Sequence, residues 1–242
     1  MSRLAYGCWR VLGTWDPAEI TPAREEAARA AILAAHEAGY TLFDHADIYC
    51  QGHAEAVFGK VLRDTPSLRG TAVIATKCGI RRPGDPAGAP YRYDFSAEHI
   101  VASCEASLRR LGVEVVDVYQ LHRPDYLMDP VEVAEAFERL RRAGKVREFG
   151  VSNFRPSQVV ALQRACPMPL LVNQVEISLA RLEAFEDGTL DQCVAERITP
   201  MAWSPLAGGK LGAGARRLLP SQEGYRPEAV NRELDILAAA RG

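Results

Sequence analysis

The segment TAVIATK, residues 71–77, is a β-branched, apolar run that ends in a lysine. Such a run reads as a strand buried on both faces. Lysine is rarely fully buried without a partner, so an acceptor for Lys77 is expected close to the strand end. The preceding apolar run, TLF at 41–43, is followed at once by Asp44, and the next one, VVDVYQLH at 115–122, ends in His122. Three consecutive apolar runs therefore stop on a charged or titratable side chain.

The same pattern extends along the chain. LAYGC at 4–8 leads into Gly7, Cys8 and Trp9, EFGVS at 148–152 into Ser152 and Asn153, LLVNQ at 170–174 into Asn173 and Gln174, and TPMAW at 199–203 into Trp203 and Ser204. Amphipathic stretches with helix signals lie between them. Thr21-Pro22, Ser96 and Asp129-Pro130 are N-terminal caps or first turns, and Gly39, Gly112 and Gly144 are stops. Inward faces are expected from Ile100, Cys104, Leu108 and Leu111, from Val133, Phe137 and Leu140, and, after Pro227, from Val230, Leu234 and Leu237. Further helices are expected near 54–62, 156–165 and 189–196.

Strict alternation of strand and helix implies parallel strands joined by right-handed crossovers. A Rossmann dinucleotide site needs GxGxxG in the first turn, and GCWRVLG there lacks that spacing. The alternative is a (β/α)8 TIM barrel, in which all C-terminal strand ends share the face that carries active sites. The 242 residues suit one such domain, since α/β barrels run to about 250 residues. No linker or composition shift divides residues 1–242. The Gly- and Pro-rich loop RRPGDPAGAPYRYD at 81–94 reads as an active-site loop.

Composition narrows the function. Hydrophobic residues make up 48%, charged residues 25%, and the formal net charge is −2. That balance offers no electrostatic reason for a nucleic-acid or anionic-membrane partner. No run approaches the roughly 18 apolar residues of a membrane span, and MSRLAYGCWRVLG does not read as a signal peptide. Six scattered cysteines, with no zinc-ligand spacing, read as reduced thiols in a cytoplasmic protein. His45 and His53 lack an HxH or HxxEH-like spacing, so no metal site is expected.

FDHADIY, Phe43–Tyr49, places a tyrosine five residues beyond Asp44. Asp44 is the natural partner of Lys77, and a nearby ammonium favours the phenolate, so the Tyr49 pKa is expected to fall. His122 can hydrogen-bond a carbonyl oxygen and fix its orientation. Together these groups suit protonation of a carbonyl oxygen as hydride reaches its carbon. Asp47 reads as loop structure. Trp9 and Trp15 either line the substrate mouth or cap the barrel.

These residues resemble the aldo-keto reductases, most closely the bacterial branch with LHRPD after the fourth strand. FDHADIY matches the family's Asp and Tyr, ATK its lysine, and LHRPD its histidine. GKVREFGVSNF, VNQVEISL and MAWSPLAGGKL match the segments around the nicotinamide and pyrophosphate. The resemblance spans roughly residues 4–242 and implies NADP(H) as cofactor and a small-molecule aldehyde or ketone as substrate. It implies catalysis by Asp44, Tyr49, Lys77 and His122. It implies cofactor contacts from Gly7, Trp9, Asp44, Ser152, Asn153, Gln174, Trp203, Ser204, Pro205 and Leu206, with Trp203 where the family usually stacks a tyrosine.

By the family pattern, ELDILAAARG is the helix after the seventh strand. The last βα unit, the loop that grips the adenosine 2′-phosphate and the N-terminal hairpin are therefore expected to be missing. Weaker cofactor affinity and reduced discrimination of NADPH over NADH would follow. The competing reading is a non-catalytic or weakly active cofactor-binding or regulatory protein. Specificity is expected in the loops at 81–94, 123–129 and 206–225.

Overall fold

The computed structural model describes residues 1–211 and 227–241. The chain divides into two compact units, Met1–Leu171 and Val172–Gly242. In the first unit, β1 (Ala5–Gly7) leads through a 3₁₀ turn to α1 (Pro22–Glu37), then β2 (Leu42–Asp44), α2 (His53–Asp64), α3 (Pro66–Thr71) and β3 (Val73–Cys78). A two-stranded ribbon follows, β4 (Ile80–Arg81) with β5 (Arg92–Tyr93), and then α4 (Ala97–Leu111), β6 (Val116–Leu121), α5 (Pro130–Arg142), β7 (Val146–Ser152) and α6 (Pro156–Ala165). The strands β1, β2, β3, β6 and β7 lie side by side in that order. All four pairings are parallel, as the βα rhythm predicts.

Helix boundaries follow local chemistry. The Thr21 hydroxyl accepts from Arg24 N at 3.3 Å, the Ser96 hydroxyl from His99 N at 3.3 Å, and the Asp129 carboxylate from Val131 N at 2.9 Å. Each caps an amide that the helix leaves unpaired. Gly112, at φ 66°, ends α4 in the left-handed region.

The apolar faces of α2, α4 and α5 cover the sheet. Phe43 packs against Phe58 with ring centroids 4.9 Å apart, and Phe137 stacks on Phe149 at 4.2 Å. The buried hydroxyl of Tyr119 donates to Ile100 O at 3.0 Å, tying β6 to α4. Helices α2 and α4 approach closely at Gly59. A Cβ there would lie 2.7 Å from Leu111 O and would also strike Arg110 O. Beside this crossing, fully buried Glu55 accepts from Thr76 Oγ1 at 2.6 Å and from Arg110 Nε at 2.7 Å. One carboxylate thus clasps α2, β3 and α4, with both oxygens satisfied.

The second unit contains most of β8 (Leu170–Glu176), then α7 (Glu183–Glu186), α8 (Thr189–Glu196), β9 (Thr199–Trp203) and α9 (Pro227–Arg241). Strands β8 and β9 pair in parallel, with Gln174 opposite Met201 and Glu176 opposite Trp203. On α9, Val230 and Leu234 are half-buried, but Leu237 is 54% exposed and does not join the expected inward face. Residues 212–225 of the expected specificity loop lie outside the described residues.

Two elements depart from the sequence reading. The six-residue α3 occupies a stretch that carried no helix expectation, started by Pro66 at its first turn. The expected loop at 81–94 is pinned by the short antiparallel ribbon, with Ile80 opposite Tyr93.

Candidate active site

Lys77 is fully buried near the end of β3. Its ammonium donates to both Asp44 carboxylate oxygens at 2.8 Å, to His45 O at 2.7 Å and to Tyr49 Oη at 3.3 Å. The sheet explains the first contact, because β2 and β3 are paired neighbours and Asp44 ends β2. The loop after β2 explains the others. His45 N donates to Ala75 O at 2.8 Å and Asp47 N to Lys77 O at 3.1 Å, so the loop runs along β3. It then turns sharply, with left-handed backbone at Cys50 (φ 46°) and Gln51 (φ 54°). Just before that turn, Tyr49 N donates to Ala46 O at 3.1 Å, and the tyrosine ring lies by the lysine, whose Nζ is 5.1 Å from the ring centroid.

His122 follows β6 and packs edge-on to Tyr49, with ring centroids 5.9 Å apart. Its backbone N–H donates to Cys78 O at 2.9 Å. Its Nδ1 is buried with no hydrogen-bond partner among the described residues. Trp15 also lies edge-on to Tyr49, at 6.2 Å, and Trp9 lies edge-on to Trp15 at 5.4 Å.

The electrostatics correct one expectation. Burial pushes the Tyr49 pKa above its ordinary value, the Asp44 carboxylate adds to that, and the opposing pull of Lys77 does not overcome it. The phenol is therefore more firmly protonated than the sequence alone suggested. For Lys77, burial alone would favour the neutral amine, but Asp44 and Tyr49 outweigh it and the pKa is raised. Burial, with Lys77 and Arg123 nearby, holds the His122 pKa well below the usual value, so its imidazole is neutral.

Gly7 ends β1 in register with Asp44. At the end of β7, buried Ser152 is followed by Asn153 in a left-handed conformation, φ 63°. The Asn153 amide donates to Ser152 Oγ at 2.8 Å and to His122 O at 3.1 Å. The first unit thus gathers Gly7, Asp44, Tyr49, Lys77, His122, Ser152 and Asn153. In the second unit, Gln174 is buried on β8 and Trp203 ends β9. Gln174 faces Met201 across the ladder, two residues before Trp203, so Gln174 and Trp203 share one face. Ser204 (φ 49°) turns the chain through Pro205 to exposed Leu206.

Sequence reasoning missed the burial of His45 and Glu55 and the contact made by half-buried Asp47. His45, a histidine weighed only for metal binding, is fully buried against Phe58 at 4.6 Å, and neither ring nitrogen has a hydrogen-bond partner among the described residues. Burial lowers its pKa to about 3. Asp47 is more than a loop residue: its Oδ2 accepts from Ser103 Oγ at 2.5 Å. Burial raises its pKa to about 7, against the opposing hydrogen bond from Ser103. The third residue is Glu55, whose only signal was its place on the inward face of α2.

Comparison with known proteins agrees with this arrangement. Residues 3–240 match the profile of the Aldo/keto reductase family. The chain is 45% identical over 216 residues to an oxidoreductase of Bacillus subtilis, covering 87% of this chain and 68% of that one. It is 44% identical over 217 residues to a 6-dehydroglucose reductase of Agrobacterium fabrum, covering 89% and 71%. Among solved structures, a glycerol dehydrogenase from Gluconobacter oxydans superposes with a TM-score of 0.85 at 28% identity, covering 100% of this chain and 76% of that one. The chain, with its parallel α/β architecture of the barrel type, belongs to the aldo/keto reductase family of oxidoreductases.

Proposed function

We propose that the protein reduces aldehydes or ketones to alcohols with NADPH, and that Tyr49 is the proton donor. The carrying observation is the Lys77 ammonium held between the Asp44 carboxylate and the Tyr49 hydroxyl. When bound, the nicotinamide would supply the hydride for the carbonyl carbon. Tyr49 gives its proton to the carbonyl oxygen as negative charge develops there. The raised pKa keeps the phenol loaded at neutral pH. Lys77 then stabilises the phenolate left behind, and Asp44 fixes the ammonium in place. Neutral His122 orients the carbonyl by a hydrogen bond.

The residues suit such a cofactor. A carboxamide needs both donors and acceptors, and the Ser152 hydroxyl, the Asn153 amide and the Gln174 amide are that chemistry. Trp203 offers a flat π-face for a nicotinamide ring. Six free, buried cysteines support a reducing, cytoplasmic setting, and no described helix is long and apolar enough to cross a membrane.

The test is NADPH oxidation with a panel of aldehydes and ketones, to which the Agrobacterium relative adds 6-dehydroglucose. Turnover by the wild type and its loss in Tyr49→Phe is the expected result. Saturable NADPH quenching of tryptophan fluorescence with no turnover on any carbonyl would favour a cofactor-binding protein without catalysis.

A further inference from the structure

A groove of about 400 Å³ opens between the loop that carries Tyr49, the β4–β5 ribbon and helix α4. Tyr49, Lys77 and His122 do not line it. Its volume falls within the range of small-molecule sites, roughly 300–1,000 Å³. Two of its polar atoms are buried without a hydrogen-bond partner among the described residues: Asp47 Oδ1 and Arg82 Nη1. Buried polar atoms are usually satisfied, and these two form no ion pair with each other.

The other charges around the groove are already engaged. Arg110 is bound to Glu55, and Asp85 to Arg81 at 3.2 Å. A ligand therefore meets one carboxyl and one guanidinium. A cation drawn to the carboxyl would also meet the guanidinium, and an anion drawn to the guanidinium would also meet the carboxyl. A hydroxyl avoids both penalties, because it donates to one partner and accepts from the other. Ser103 Oγ, whose proton goes to Asp47 Oδ2, can still accept, and Ile48, Ile80 and Ala106 offer apolar surface to C–H groups.

We propose that this groove is a second ligand site, separate from the catalytic residues, that takes an uncharged polyol through Asp47 and Arg82. Neighbouring hydroxyls of the ligand satisfy the two orphaned atoms together. The match holds whether Asp47 is ionised or protonated, since a hydroxyl can take either role. The site does not depend on the reductase reading.

The experiment is saturation-transfer NMR of sorbitol with the 242-residue chain, without cofactor. Wild type is expected to show saturable transfer. Arg82→Met, on the ribbon loop and removed from the core, is expected to weaken binding about tenfold or more, as loss of a charge-assisted hydrogen bond does, with thermal unfolding unchanged. Tyr49→Phe is expected to bind as wild type. Absence of saturable transfer, binding undiminished in Arg82→Met, or binding lost in Tyr49→Phe would each overturn the proposal, the last by placing sorbitol at the catalytic residues. Displacement of sorbitol by inorganic phosphate at lower concentration would overturn the uncharged class.

Discussion

The Lys77 ammonium lies 2.8 Å from both carboxylate oxygens of Asp44, and the lysine is wholly shielded from solvent. Breaking a buried pair from one side strands the other charge. Lys77→Met alone should therefore cost about 3–5 kcal/mol. The double variant Lys77→Met, Asp44→Asn should cost less, because no uncompensated carboxylate remains. Urea denaturation midpoints read both. A double variant as unstable as the sum of the singles would contradict the pairing.

The raised Tyr49 pKa sets the direction of the pH profile for carbonyl reduction. The donor works only when protonated. Since burial moves its pKa above the ordinary value near 10, the rate should hold level through neutral pH and fall only in strongly alkaline solution. A kcat profile that dropped near pH 8 would mean that Lys77 dominates after all. Tyr49→Phe should lower kcat by about 10²–10⁴-fold while leaving the unfolding temperature close to wild type.

His45 and Asp47, two residues apart, should tilt stability with pH in opposite directions. The His45 pKa is about 3 in the fold, below its ordinary 6.5. Between those values the unfolded chain binds the extra proton, so stability is lost as pH falls through that window. The Asp47 pKa is about 7 in the fold, above its ordinary value near 3.9. Between those values the native state binds the extra proton, so stability is lost as pH rises. Each effect is bounded at roughly 4–5 kcal/mol. In the wild type the two slopes largely offset between pH 4 and 6.5; His45→Leu should leave stability falling as pH rises through that window, and Asp47→Asn should leave it rising. At neutral pH, His45→Leu should be neutral or stabilising by about 1–3 kcal/mol, because two unsatisfied ring nitrogens disappear. Thermal melts across pH 4–8 check all three statements.

Gly59 should resist even alanine. The added Cβ would press on the Arg110 and Leu111 carbonyls at the end of α4, and backbone cannot step aside as a side chain can. Gly59→Ala should destabilise by about 1–3 kcal/mol, although alanine is the better helix former. An unchanged melting temperature would show that the helices can separate at no cost.

What could be read beforehand depended on what the pattern carries. β3, β6 and β7 announce themselves as apolar runs, and Ser96, Asp129 and Gly112 mark helix ends by chemistry that acts within a few residues. The partnership of Lys77 with Asp44 was legible because a buried lysine demands an acceptor and neighbouring strand ends are limited in number. The ribbon Ile80–Arg81 with Arg92–Tyr93 was not, since two-residue strands have no periodicity. α3 was too short to show a face. The direction of the Tyr49 shift was misread because sequence names the neighbours of a group but not how deeply water is excluded from it. Ser103 reaches Asp47 from fifty-six positions away, a distance that no local signal spans.

Asp44, Tyr49, Lys77, His122, Ser152 and Asn153 all fall within Met1–Leu171, where each strand of the sheet pairs with the one made just before it. For a nascent chain this is an ordering rule. The residues of the proton-transfer machinery are all encoded before Gln174 and Trp203 are synthesised, and the Lys77 ammonium finds Asp44, His45 O and Tyr49 among them. Domains tend to fold as units from the N-terminal side during translation. Protease protection of ribosome-bound chains should therefore appear once residue 171 has cleared the exit tunnel. Protection delayed until β9 emerged would mean that the first unit waits for the second.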